Sequence, residues 1–177
     1  NSQYEIASDI DLTSVFIGAS ICCSGVCLTV VEKNKGSLIF DVSNETLSKT
    51  TLGSWMVGDA VNLEQSMSAN DEFGGHILTG HIDGVSIIED IWPDGDSKRY
   101  KFSIPNDLEF LLAKKGSVAV NGVSLTINEV NSFAFEANII PHTMEKTTFG
   151  SLIIGDRVNI EVDILARYVD RQLKNMR

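Results

Sequence analysis

Cys27, His81, Ser124 and Thr126 are the residues of this sequence whose types and surroundings suit chemistry on a small organic molecule. A deprotonated thiol adds to electrophilic carbon. An imidazole, with an ordinary pKa of about 6.5, moves protons near neutrality, and hydroxyls both donate and accept hydrogen bonds. His81 follows Gly80, and a glycine lets a ligand come close to the backbone. Thr29 and Thr126 stand two residues beyond Cys27 and Ser124, which on a strand puts each pair on one face. Ser20 and Ser117 offer further hydroxyls upstream. Each residue also has a plainer reading. Cys27 reads as a small buried strand residue, a lone histidine as structural, and the hydroxyl residues as ordinary strand formers. His76, five residues before His81, is assigned the structural role.

Cys27 and Ser124 are equivalent positions of an internal repeat. A shift of 97 residues lays Ser20-Ile21-Cys22-Cys23-Ser24-Gly25-Val26-Cys27-Leu28-Thr29 on Ser117-Val118-Ala119-Val120-Asn121-Gly122-Val123-Ser124-Leu125-Thr126. The same shift makes 11 of 21 positions identical between 44–64 and 141–161. Upstream, an offset of 98 lays Tyr4-Glu5-Ile6 on Phe102-Ser103-Ile104. Residues 76–97 have no counterpart, so the first repeat is expected to lack its opening strand.

Within each repeat, Ser37-Leu38-Ile39-Phe40-Asp41-Val42 and Phe133-Ala134-Phe135-Glu136-Ala137-Asn138-Ile139-Ile140 read as strands punctuated by glycines. About six short strands per repeat point to a mainly β fold of two tandem six-stranded Greek-key barrels, because closure removes exposed edges. Ile164, Leu165, Tyr168, Val169, Leu173 and Met176 recur at helical spacing, predicting a C-terminal helix that buries its stripe on another subunit. The expected domains are a first barrel over 1–70, a second over 71–163 and an oligomerisation helix over 164–177.

Composition excludes several functions. The chain has 177 residues, 43% hydrophobic and 21% charged, with net charge −10. Nucleic-acid binding needs clustered Lys and Arg, which are absent. No apolar run is long enough for a membrane helix, and Asn1-Ser2-Gln3-Tyr4 opens neither a signal nor a transit peptide, so a cytoplasmic setting is expected. Cys22, Cys23 and Cys27 are too close for a disulfide framework and lack zinc-site spacing, so no metal is expected and any acting cysteine acts as a reduced thiol.

Gly25-Val26-Cys27-Leu28-Thr29, Glu45-Thr46-Leu47, Gly74-Gly75-His76, Gly80-His81-Ile82-Asp83-Gly84, Gly122-Val123-Ser124-Leu125-Thr126 and Pro141-His142-Thr143 together resemble riboflavin synthase, in order and over nearly the whole chain. The resemblance implies a transferase of riboflavin biosynthesis: a tandem-barrel homotrimer, with each site formed between the first barrel of one subunit and the second of another. It implies dismutation of two 6,7-dimethyl-8-ribityllumazine molecules by four-carbon transfer, giving riboflavin and 5-amino-6-(ribitylamino)uracil. It implies no cofactor. The family's usual Met-Phe-Thr-Gly-Ile opening is absent from this sequence.

By resemblance, Cys27 or a nearby water adds to C7 of one lumazine, His81 shuttles protons, and Ser124 and Thr126 contact the other lumazine. Ser20, Leu28 and Thr29 line the first site with Cys27, as Leu125 lines the second. Gly80 and Ile82 flank His81. Backbone groups of Asp41, Val42, Ser43, Asn44, Glu45 and Thr46 wrap one ligand, and those of Ile140, Pro141, His142, Thr143, Met144 and Glu145 the other. Lys115 reaches in from a neighbouring subunit, and Asp163 either caps the final helix or meets the ribityl hydroxyls. A non-catalytic lumazine- or flavin-binding protein of the same fold is the closest alternative. A structural or carbohydrate-binding barrel is a more distant one.

Overall fold

A computed structural model describes residues 2–72, 74–105 and 107–176. The first half holds β1 (Ser2–Ala7), β2 (Ser20–Cys23), β3 (Val26–Asn34), β4 (Ser37–Val42), α1 (Asn44–Lys49) and β5 (Leu63–Gln65). The second holds β6 (Gly84–Asp94), β7 (Ser97–Ser103), β8 (Ser117–Val120), β9 (Val123–Val130), β10 (Ala134–Ile139), α2 (Pro141–Lys146) and β11 (Arg157–Val162), followed by α3 (Ile164–Asn175). All strand pairs are antiparallel, as alternating half-buried strands joined by short turns require.

The halves share one topology. The second closes as β10-β7-β6-β11-β8-β9, while the first is a five-stranded sheet, β1-β4-β3-β2-β5. Between β7 and β11 stands β6; between β1 and β5 no strand stands among the described residues. Each half has its own core. Ile21, Val30, Leu38, Phe40 and Leu52 fill the first. The second is built on the rings of Tyr100, Phe102, Phe135 and Phe149, whose centroids lie 5.0–6.4 Å apart.

Register corrects the upstream alignment of the repeat. Tyr4 pairs with Phe40 and Tyr100 with Ala137, and Phe40 and Ala137 are repeat-mates 97 apart. The Tyr4 hydroxyl donates to the Leu52 carbonyl at 2.8 Å, and the Tyr100 hydroxyl to that of Phe149 at 2.9 Å. Tyr4 is therefore the mate of Tyr100, not of Phe102: two strands locked by the same long-range bond must be matched by that bond. The added residue of the second half falls before Lys115, since Gly18 and Lys115 bond equivalently to Val30 and Ile127.

The halves meet back to back at two tight hairpin turns, Ser24-Gly25 and Asn121-Gly122. All four residues have positive φ (44° and 86°, 48° and 81°), the type I′ geometry that two-residue hairpins favour. A Cβ on Gly25 would lie 2.8 Å from the Gly122 nitrogen, and one on Gly122 would lie 2.9 Å from that of Gly25. The repeated asparagines lock this contact reciprocally. The Asn159 side chain takes the Thr51 N–H at 2.8 Å and donates to the Ser24 carbonyl at 2.9 Å. The Asn62 side chain takes the Thr148 N–H at 2.8 Å and donates to the Asn121 carbonyl at 3.0 Å. Amides so satisfied, that of Asn159 fully buried and that of Asn62 partly, specify one docking of the two halves.

Candidate functional site

The β2–β3 hairpin pairs Ser20 with Thr29 and Cys22 with Cys27 on its outer face, while Ile21, Cys23, Val26 and Leu28 point into the core. The β8–β9 hairpin repeats this, with Ser117 opposite Thr126 and Ala119 opposite Ser124. Leu28 and Leu125 are buried core residues, so they can meet a ligand only through their backbone. The two sites expected at equivalent places thus share Ser20/Ser117 and Thr29/Thr126 and differ at Cys22/Ala119 and Cys27/Ser124.

The segment joining the halves crosses both faces. Gly80, at φ +76°, accepts the Cys27 N–H at 2.9 Å, and a Cβ there would sit 2.5 Å from the Cys27 Cβ. Gly75, at φ +83°, passes as close to the Ser124 hydroxyl, 2.5 Å from the position of a Cβ. Only glycine fits where backbone both takes a left-handed conformation and packs on a side chain. A cavity of about 560 Å³ opens beside this segment, lined among others by Cys22, Cys27, Glu64, Gly74, His76 and Gly80.

Buried anchors fix the segment. Glu161, 1% exposed, accepts from the Thr79 N–H at 2.7 Å, the Thr79 hydroxyl at 2.6 Å and the Gly80 N–H at 2.9 Å. Asp83 accepts from the Val162 N–H at 2.8 Å and from the Arg167 guanidinium at 2.9 and 3.0 Å. Arg167 also donates to the His81 carbonyl at 3.3 Å, which ties α3 to the His81 turn. Ile82 packs against the first-half core.

His76, assigned a structural role from sequence, is the histidine that meets a candidate side chain. Its Nδ1 lies 2.8 Å from the Ser124 hydroxyl, and its buried Nε2 has no hydrogen-bond partner among the described residues. Burial holds its imidazole below the usual range, against the attraction of Asp163 and Glu161. A neutral imidazole here can accept the serine proton. His81 is exposed, and its backbone carbonyl accepts from Arg167. No local signal separated the two, since each follows a glycine and the partner of His76 is 48 residues away.

The remaining candidates are dispersed. Asp163 caps α3 through the Leu165 N–H at 3.0 Å and adds its charge near His76. Asp41 and Val42 end β4, and Ser43 caps α1 by accepting the Thr46 N–H at 3.1 Å, so Asn44, Glu45 and Thr46 form a helical first turn. Ile140 and Pro141 start α2 likewise, with His142, Thr143, Met144 and Glu145 inside it. These helices were not read from the sequence, which showed only the ends of strands. Lys115 is exposed at φ +68° on the turn before β8. A second cleft of about 420 Å³ between the halves, lined by Ser24, Trp55, Asp59 and Asn121 among others, holds none of the candidate catalytic residues.

The pH dependence of stability should report His76. Unfolded, the imidazole takes up a proton at about 6.5; folded, it does so only at lower pH. Between those values the unfolded chain binds more protons, so the stability linked to His76 is complete above about 6.5 and is lost as pH falls through that window. His76→Gln should flatten that limb of the denaturation-against-pH curve, and an unaltered limb would rule the linkage out.

Residues 1–66 and 79–163 match the family described as lumazine binding domain. The chain is 43% identical to the riboflavin synthase of Photobacterium phosphoreum over 97% of its length and 80% of that protein's. It is 45% identical to that of Brucella abortus over 94% and 85%, and 40% to that of Bacillus subtilis over 92% and 75%. It also superposes on crystal structures of LumP complexed with 6,7-dimethyl-8-(1'-D-ribityl) lumazine (TM-score 0.81) and with riboflavin (TM-score 0.84). Both are 30% identical to it, each match covering 90% of this chain and 87% of the other.

Proposed function

We propose, for a chain that belongs to the riboflavin synthase family of paired lumazine-binding domains, that it catalyses the dismutation of 6,7-dimethyl-8-ribityllumazine. One molecule passes a four-carbon unit to the other, yielding riboflavin and 5-amino-6-(ribitylamino)uracil. The observation that carries this reading is the pair of equivalent hairpin faces, Ser20/Cys27/Thr29 and Ser117/Ser124/Thr126, each overlain by a glycine of the joining segment. Two copies of one binding face suit a reaction between two copies of one molecule. Holding both heterocycles in register supplies much of the acceleration.

Each half binds one lumazine. Cys27 adds to C7 of one, directly or through a water, while Ser124, with His76 as its proton acceptor, and Thr126 serve the other. His81 acts as a second proton carrier toward a site shared between subunits. Leu165, Tyr168, Val169 and Leu173 on α3 and Met176 at its C-cap are all more than half exposed, an apolar stripe that fits a homotrimer joined by its helices. Lys115 reaches a neighbouring subunit's site, and the turns that begin α1 and α2 wrap the ligands. The domains divide as 1–70, 71–163 and 164–177. Three free thiols suit a cytoplasmic setting.

The test is to supply 6,7-dimethyl-8-ribityllumazine without added cofactor and follow riboflavin absorbance. Formation of riboflavin and the pyrimidine in equal amounts is expected. Tight binding without turnover would instead make the chain a ligand-holding protein like the LumP structures it resembles.

A further inference from the structure

Cys22 and Cys27 are direct cross-strand partners, separated only by Cys23, the Ser24-Gly25 turn and Val26. In a two-residue hairpin the pair next to the turn, here Cys23 and Val26, exchanges backbone bonds, so the following pair does not. The Cys27 N–H confirms this by pointing away from β2, to the Gly80 carbonyl at 2.9 Å. Directly opposed residues without mutual bonds have Cα atoms about 4.5 Å apart, their side chains on one face. A disulfide spans Cα separations of roughly 4.4–6.8 Å. Both thiols are free, partly exposed and lining the same cavity, and each lies within the other's electrostatic reach.

We infer that Cys22 and Cys27 form a dithiol which small disulfides oxidise to a reversible intramolecular cross-link inside the first-half cavity. The Cys27 thiolate attacks one sulfur of a disulfide RSSR and expels RS⁻, leaving a mixed disulfide. Cys22 releases its proton to solvent and attacks the Cys27 sulfur, expelling the second RS⁻. Two protein thiols are oxidised by two electrons, and RSSR is reduced to two RSH. Burial pushes the Cys22 thiol up to about 12, so it is the poor first nucleophile and the resolving partner. Its closeness offsets the scarcity of its thiolate in that second, intramolecular step.

Cys23 takes no part, because adjacent strand residues face opposite sides and its side chain is fully buried in the core. The second half holds no such pair, since Ala119 and Ser124 occupy the equivalent positions. The cross-link would consume the thiol assigned to C7 addition. That consequence for turnover rests on the proposed function, whereas the cross-link does not.

The experiment is to treat the whole chain with excess oxidised glutathione, assay one portion for lumazine turnover, quench another with N-ethylmaleimide in denaturant so that every remaining thiol is labelled, and read its intact mass and peptide map. Expected is loss of two hydrogens, a mapped Cys22–Cys27 bond, Cys23 as the one alkylated cysteine, and turnover lost in step and restored by dithiothreitol. Cys22→Ser should instead hold one glutathionyl group on Cys27. A wild-type protein that keeps that group on Cys27 with Cys22 alkylated, or that keeps all three thiols alkylated, would overturn the dithiol. A cross-link with undiminished turnover would leave the dithiol standing and overturn the role given to Cys27.

Discussion

Removing the Glu161 carboxylate is expected to cost about 3–5 kcal/mol and to loosen the segment over both hairpin faces. Glu161 is fully buried and satisfies the Thr79 N–H, the Thr79 hydroxyl and the Gly80 N–H at once. Each hydrogen bond to a charged group contributes roughly 1.5–3 kcal/mol, and donors left buried without an acceptor cost about 1–3 kcal/mol each. In Glu161→Ala those donors lose their partner together, so the terms overlap rather than add in full. Glu161→Gln keeps the shape and one acceptor but turns an N–H₂ toward a donor, so an intermediate loss of about 1–3 kcal/mol is expected. Urea denaturation of both variants measures this, and an alanine variant within about 1 kcal/mol of wild type would show that the three bonds do not hold the segment.

The repeat-mate Glu64 supplies the control. It is exposed on β5, and partial desolvation of its carboxyl pushes its pKa up. A raised folded pKa means the native state holds the proton longer, so this contribution is full below the ordinary carboxylate value and is lost as pH rises through the folded one. Glu64→Gln should therefore leave stability at neutral pH unchanged or slightly higher. Two glutamates at one repeat position thus have opposite effects, because Glu161 anchors the joining segment at Thr79 and Gly80.

That difference marks how far sequence reaches. Strand β4 follows the run Ser37–Val42 directly, and α3 follows the apolar spacing from Ile164, because both patterns are local periodicities. The equivalence of Cys27 with Ser124 was legible for a related reason: hairpin, bulge and flanking strands were duplicated together, down to matching register shifts in β3–β4 and β9–β10. What escaped depends on partners far along the chain. Tyr4 and Tyr100 are matched by hydroxyls reaching 48 and 49 residues ahead, so alignment by local similarity chose the wrong offset. The contacts of His76 with Ser124 and of Glu161 with Gly80 span 48 and 81 residues. The repeated glutamate was visible in Gly58-Asp59-Ala60-Val61-Asn62-Leu63-Glu64 and its mate, but pattern alone cannot tell which copy is anchored.

Cys27→Ala is expected to lower lumazine turnover by about a hundredfold to ten-thousandfold, the range over which positioned nucleophiles and proton-transfer groups act. Stability should change little, because the thiol sits at the partly exposed edge of a cavity and not in either core. Binding should persist, since truncation to alanine only widens the cavity and leaves the Thr29 and Gly80 groups in place. KM should then move far less than kcat, which separates a lost chemical step from lost affinity. Ser124→Ala should lower turnover less, because a hydroxyl that orients a ligand contributes about one hydrogen bond, on the order of 1–3 kcal/mol when charge is involved. It also strips His76 of the partner at Nδ1, so the acid limb of the rate profile should shift in that variant and not in Cys27→Ala. If both variants kept turnover within about threefold of wild type, neither side chain would carry a step. Alignment of the two heterocycles by the duplicated faces would then have to supply the acceleration, as intramolecular positioning alone can, by about 7–11 kcal/mol.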